Sequence, residues 1–218
     1  MTSQKLIDVE NSDLLLSTTR SVRKRLDLDR PVPRELLLEC VRMAVQAPTA
    51  SNGQTWRFMI VTDPEKRAGL AELYGSTGRP YLEAGARGDI SKDRQTIRVY
   101  ESALYLLDVL PRVPVHVIPC IEGRVTGPDS LSGVSFYGSV MQAAWSFMLA
   151  ARARGLGSVW TTLHLQREQE AAELLGIPFE SVTQIALLPV AYTIGTDFRP
   201  AKRDPVEAIT FWDEWGGS

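Results

Sequence analysis

Apolar positions along this chain switch repeatedly between a helical period and short continuous runs. Leu14 to Leu16 mark a first helix that ends near the basic run from Arg20 to Arg25. After Pro31-Val32-Pro33, residues Leu36, Leu37, Val41, Ala44 and Val45 recur at helical spacing. Pro33 suits the first turn of that helix and Pro48 its stop. Phe58 to Val61 reads as a buried strand closed by Asp63-Pro64, and a helix follows through Leu70 and Leu73. From residue 75 to 93 the period is lost among glycines, Pro80, Tyr81, Arg79 and Arg87, which predicts a long loop or lid. Helical spacing returns in Val99, Ala103, Leu106, Leu107 and Leu110, and a strand is expected over Pro114 to Ile121.

The strongest helical face follows, in Val140, Ala144, Phe147, Met148 and Ala151, ended by Gly155-Leu156-Gly157. Ser158 to Thr162 is predicted as a third strand, Glu168 to Leu175 as a charged helix, and Val182 to Val190 as a fourth strand. Residues 195–218 form an extended tail containing Phe211, Trp212 and Trp215, aromatics that call for a partner surface. Strands separated by helices argue an α/β or α+β layered fold. At 218 residues, one domain over 1–218 fits better than two small ones.

Charge and composition narrow the function classes. A net charge of −2 gives no bulk attraction to nucleic acid or an anionic membrane, and 44% hydrophobic residues is ordinary for a globular protein. No apolar run approaches the roughly 18 residues of a membrane span. The acidic, polar start is no secretory leader, so a cytoplasmic protein is expected. Cys40 and Cys120 stand far apart in apolar stretches, read as buried thiols, and no metal site is expected.

Several catalytic motifs fail. Gly155-x-Gly157 closes a helix where a dinucleotide-binding turn would open one, and Trp160 occupies the third glycine's place. Ser135 misses the spacing of a hydrolase nucleophile by one residue. His116 alternates with valines in a strand and reads as structural, whereas His164, just past a strand end, could face a pocket. Three polar patches survive. Arg20, Ser21 and Arg23 offer guanidinium forks and a hydroxyl to a phosphate or an electron-rich ring. Residues 47–56 form a polar loop with side-chain amides, and Arg199, Lys202 and Arg203 cluster in the tail. Taken singly, each is equally a solvated basic end or a polar turn.

Together the patches resemble the nitroreductase family of flavin mononucleotide (FMN) oxidoreductases, over roughly Ser17 to Trp215. Arg20, Ser21 and Arg23 match its R-S-x-R element. Pro48, Asn52, Gln54 and Trp56 match its A-P-S-S-x-N-x-Q-P-W element, and Leu149 to Trp160 its L-A-A-x-x-x-G-L-G-S-x-W element. Leu175 to Pro178, the following apolar strand and Arg203 match its late segments. Departures stand at Thr19, Arg25, Thr49, Ala50 and Thr55, and fewer phosphate donors imply weaker FMN retention.

The resemblance implies an α+β (α/β layered) fold: a central, mainly antiparallel or mixed sheet flanked by helices, with the C-terminal tail exchanged across a homodimer. It implies that Arg20, Ser21 and Arg203 hold the phosphate and ribityl chain, with Arg23 at the pyrimidine edge. Pro48, Thr49, Ala50 and Asn52 would reach the flavin of the opposite subunit, and Thr161, Thr162 and Leu163 would face its N5 region. No side chain need act as acid or base, because the flavin carries the chemistry. The implied reaction is NADH- or NADPH-dependent reduction of nitroaromatic, quinone or similar small acceptors. Reductive dehalogenation, flavin fragmentation and non-catalytic flavin binding are the alternatives on this fold. Tyr81, Arg87 and Tyr137 are candidate pocket residues.

Overall fold

The computed structural model describes residues 7–125 and 130–216. Arg20–Thr196 forms one compact unit, and the segments within Met1–Thr19 and Asp197–Ser218 form a second. The larger unit is built on strands β1 (Trp56–Val61), β2 (Val115–Glu122), β3 (Leu156–Ser158), β4 (Val182–Gln184) and β5 (Leu188–Tyr192). Every strand pair is antiparallel, in the order β1-β2-β5-β3, with β4 also beside β2. This is the expected α+β sheet.

β2 is buried along all but its last residue, as its sequence Val-His-Val-Ile-Pro-Cys-Ile demands. It does not pair with one continuous strand over 182–190, as the apolar run suggested. β4 pairs with residues 120–122, β5 pairs with 115–117, and the register slips by one residue between them. Pro119 lies at the slip. Its carbonyl accepts the Ile185 N–H at 2.9 Å, but it has no N–H to return, so the ladder cannot continue there.

Helices α2 (Arg34–Ala44) and α5 (Ser130–Ala153) cover one face. Leu37, Cys40 and Ala44 from α2 meet Phe147, Met148 and Ala151 from α5 over Val117, Leu188 and Val190 of the sheet. Helix α3 (Pro64–Ala86) starts at Pro64 with Asp63 accepting the Lys66 N–H at 3.0 Å, and it packs on α4 (Arg94–Val109). Helix α6 (Glu168–Leu175) ends at Gly176, which takes φ 70°. In the terminal unit, α1 (Val9–Thr18) is capped by Asp8, which accepts the Asn11 N–H at 3.0 Å.

The predicted lid over 75–93 is corrected: α3 continues to Ala86, so only the residues between it and α4 are loop. The glycines there serve close packing. A Cβ on Gly85 would lie 2.2 Å from the Tyr100 ring, and one on Gly78 would lie 2.6 Å from Leu163. Gly88 alone in this stretch has a positive φ, and it is where the helix stops. The predicted third strand is likewise shifted: β3 is Leu156–Ser158, and Gly155 at φ 78° is the helix stop.

His116 and His164 are both fully buried. His116 Nε2 contacts the Leu110 carbonyl at 3.0 Å, as a structural strand residue should; both nitrogens of His164 lack a partner among the described residues. Burial pushes each down to about 4, and Arg67 and His164 lower His116 further. In the unfolded chain these rings protonate near 6.5, so between pH 6.5 and 4 the unfolded state binds more protons. Stability is therefore whole above about pH 6.5 and falls as pH drops toward 4, by roughly 3 kcal/mol per ring. Urea midpoints at pH 7.5 and pH 5 should show this drop, and His164→Leu should flatten it by about half. A pH-independent midpoint would contradict it.

Candidate functional site

The candidate site grows from the edge of the sheet. Residues 20–27 run beside it: Val22 N–H donates to the Ser158 carbonyl at 2.9 Å and Asp27 N–H to that of Tyr192 at 2.8 Å. Ser21 and Ser158 form a parallel bridge. Val22 and Leu26 point inward and are buried, while Ser21 is exposed and Arg20 and Arg23 are half-buried. This seating requires Gly157, where a Cβ would meet Thr193 at 2.7 Å and Val22 at 2.9 Å.

Arg23 is the most constrained of the predicted residues. Its Nη1 donates to Ser102 Oγ of α4 at 3.2 Å, and its buried Nε has no partner among the described residues. Burial lowers its pKa below the ordinary arginine value, and neighbouring Tyr74 acts the other way. Tyr74 is itself buried on α3, with its hydroxyl near the Thr161 side chain. Burial pushes the Tyr74 hydroxyl up, opposed by Thr161 and Arg23.

Thr161 is fixed by the β3–β5 pairing: in the register of Ser158 with Val190 it meets Leu187, through Thr161 N–H to the Leu187 carbonyl at 3.1 Å and the reverse bond at 2.8 Å. Thr161 Oγ1 also donates to the Leu187 carbonyl at 2.9 Å. Thr77 Oγ1 donates to the Leu163 carbonyl at 3.3 Å. Thus Tyr74, Thr77 and Gly78, on one face of α3, hold the segment 161–163. The predicted residues Arg23, Thr161 and Leu163 are brought together by side chains that the sequence reading missed. The signal was the helical spacing of Leu70, Tyr74, Thr77 and Gly78, hidden by the glycines around them.

The loop of Pro48, Thr49, Ala50 and Asn52 is carried on α5, where Ser139 Oγ accepts the Ala50 N–H at 3.0 Å. Ser51, Asn52 and Gln54 have φ of 51°, 53° and 51°. Such a cluster of left-handed non-glycine residues is strained backbone, a feature concentrated at ligand sites. Their side chains face outward, with Gln54 Nε2 donating to Asn52 Oδ1 at 3.0 Å. Arg203 lies in the terminal unit, exposed, with Nη1 donating to the Lys202 carbonyl at 3.1 Å.

Beyond Thr162 opens a cavity of about 620 Å³, walled by Tyr137, Met141, Trp160, Leu165 and Ile185. Arg124, Glu168, Thr183 and Gln184 complete its polar side. Of the three candidate pocket residues, Tyr137 is here. Tyr81 instead bonds the Tyr100 hydroxyl at 2.8 Å, and Arg87 pairs with Asp89 at 3.0 Å. His164 is not among the residues that line it. No group of three or more His, Cys, Asp or Glu side chains among the described residues could hold a metal.

The half-buried Arg23, the loop in strained backbone and the aromatic cavity are the candidate ligand-binding features of the chain. The nitroreductase family model matches residues 16–192, and the chain belongs to that family. Protein DrgA of Synechocystis sp. is 29% identical over 189 residues, covering 84% of this chain and 80% of that one. An NADH dehydrogenase of Thermus thermophilus is 26% identical over 220 residues, covering 95% and 97%. The fold is shared with a crystal structure of oxidized iodotyrosine deiodinase bound to FMN and 3-iodo-L-tyrosine. That likeness has a TM-score of 0.70 at 24% identity, covering 92% of this chain and 98% of that one.

Replacing Gly157 by Ala should disturb the site through the backbone. The new methyl meets Val22 and Thr193 below van der Waals distance, so a loss of about 1–3 kcal/mol is expected. Chemical denaturation of Gly157→Ala checks this; wild-type stability would mean that residues 20–27 are not seated there.

Proposed function

We propose that this protein is an FMN-dependent oxidoreductase that draws electrons from NADH or NADPH and reduces a small nitroaromatic, quinone or similar acceptor. The observation that carries the reading is the state of Arg23: half-buried, tied through one nitrogen to Ser102, and with hydrogen-bonding capacity unspent. A desolvated guanidinium with an unfilled donor is unfavourable until an acceptor reaches it. The electron-rich edge of a flavin is such an acceptor, so the residues present fit the group.

In this reading Arg20, Ser21 and Arg203 hold the phosphate and ribityl chain. Pro48, Thr49, Ala50 and Asn52 come from the opposite subunit, and Thr161, Thr162 and Leu163 face the N5 region. FMN supplies two-electron chemistry at N5 when bound. Arg23 would lie at the ring's pyrimidine edge, where its positive charge could offset negative charge on the bound group. Ser102 and Tyr74 hold Arg23 and Thr161 beforehand, so little reorganisation is left for the reaction itself.

The homodimer is part of the same reading. Leu131, Val134, Met141 and Trp145 stand three, seven and four residues apart on α5 and are 75%, 73%, 45% and 43% exposed. Between them Gly138 leaves its Cβ position open, so the stripe is a self-complementary seam for a second helix. The exposed Ile209, Phe211, Trp212 and Trp215 support exchange of the tail between subunits. No helix among the described residues is long and apolar enough to cross a membrane. Cys40 and Cys120 are free and buried, which fits the cytoplasm we assign.

The visible spectrum of the purified protein after FMN addition and gel filtration tests the cofactor. Flavin bands in a dimer-sized fraction, bleached by NADH or NADPH and restored by a quinone, are expected. Bands that resist both donors would favour the dehalogenating or non-catalytic alternatives. Arg23→Ala should weaken FMN binding at least about tenfold, the loss of a charged hydrogen bond, with the fold retained. Unchanged affinity and reduction potential would remove Arg23 from the role given to it.

A further inference from the structure

Arg124 and Glu168 are the only charged side chains lining the cavity beyond Thr162, among the described residues. They cancel each other. The Arg124 guanidinium meets the carboxylate fork to fork, Nη1 to Oε2 and Nη2 to Oε1, both at 3.1 Å. Two more of its five N–H donors are occupied: Nε donates to the Phe179 carbonyl and Nη2 to that of Val182 at 3.2 Å. The group stacks on the Phe179 ring at 3.8 Å. Glu168 Oε1 accepts in addition the Gln184 N–H at 2.9 Å, and the Glu168 carbonyl accepts Gln184 Nε2 at 2.9 Å. Both side chains are largely desolvated, at 24% and 17% exposure.

An ion pair locked in this way stiffens the wall and leaves no charge for a ligand. A carboxylate entering the cavity would lose hydration against Tyr137, Met141, Trp160 and Ile185 and meet no available cation. Taking Arg124 from Glu168 would strand a buried carboxylate, which is worse. The loop that the proposed second subunit brings, residues 48–52, carries no charge either.

We propose that this cavity is the acceptor site and that it selects uncharged planar aromatics, excluding carboxylate-bearing and zwitterionic ones. The inference rests on the flavin reading for the word acceptor, but the charge selection stands on the cavity alone. A volume of about 620 Å³ takes one or two fused rings with their substituents. The 3-iodo-L-tyrosine in the solved iodotyrosine deiodinase, with its ammonium and carboxylate, is the kind of ligand this wall refuses.

The test compares two probes of one ring, methyl 4-nitrobenzoate and 4-nitrobenzoate. Equilibrium dissociation constants are measured on the oxidised, FMN-loaded protein by perturbation of the flavin spectrum. The ester should bind at least about tenfold tighter, the penalty of an unpaired buried charge. Glu168→Gln frees Arg124 at constant size and should shrink that ratio at least about fivefold by improving carboxylate binding. Should that variant not fold, Val125→Lys places a cation on the cavity wall and should shift the ratio the same way. Equal or tighter binding of 4-nitrobenzoate by the unaltered protein overturns the proposal, as does a ratio that a folded variant fails to change. The same titrations on flavin-free protein, read by tryptophan fluorescence, separate the two readings. A protein that never retains FMN but still prefers the ester sinks the oxidoreductase reading and leaves the charge selection intact.

Discussion

The cavity wall depends on one interruption in the hydrogen-bond ladder of β2. Pro119 can accept but not donate, so the strand facing it slips by one residue and divides into β4 and β5. Along the other edge of β5 the ladder with β3 keeps its register as far as Thr161, which pairs with Leu187. Thr161 in turn meets Tyr74, and Tyr74 lies beside Arg23. On the other side of the slip, Gln184 turns its backbone N–H to Glu168, which closes the Arg124 fork. One missing donor in the core thus turns the wall of the neutral cavity toward α6, while the β3–β5 ladder positions the cationic end.

The two arginines show how environment assigns different work to the same side chain. Arg124 has four of its five donors matched by a carboxylate and carbonyls, and it acts as a cross-tie between β4, α6 and the end of β2. Arg23 is held by a hydroxyl alone, with no carboxylate paired to it among the described residues. A matched guanidinium contributes rigidity; an unmatched one retains its field for a ligand. The difference explains why a site can be cationic at one end and electrically closed a few residues away.

Helix α3 joins these parts. Its Tyr74, Thr77 and Gly78 grip residues 161–163, and its Gly85 lets the Tyr100 ring of α4 come close. Read as sequence, the same glycines broke the period and suggested a loop. Glycine has two uses, freedom of φ and absence of a side chain, and composition does not distinguish them. At Gly78 and Gly85 it is the second; at Gly88 it is the first.

Much of the molecule was legible in the chain. The burial of α2, β2 and α5 follows from apolar pattern, because that pattern is local and survives any arrangement of neighbours, whereas the strand expected to be buried over Phe58 to Val61 is only half-buried except at Val61. The four motif segments identified the family for the same reason: R-S-x-R, the loop before Trp56, the Gly155–Trp160 turn and the basic tail are each contiguous. Tertiary structure alone decided what those residues face. Ser102 lies 79 positions from Arg23, the Leu187 carbonyl lies 26 from Thr161, and Glu168 lies 44 from Arg124. Sequence period records which side of an element is buried, but not which distant hydroxyl, carbonyl or carboxylate waits there. That depends on close approach at glycines and on a register slip at one proline, and both become visible only when the strands are paired.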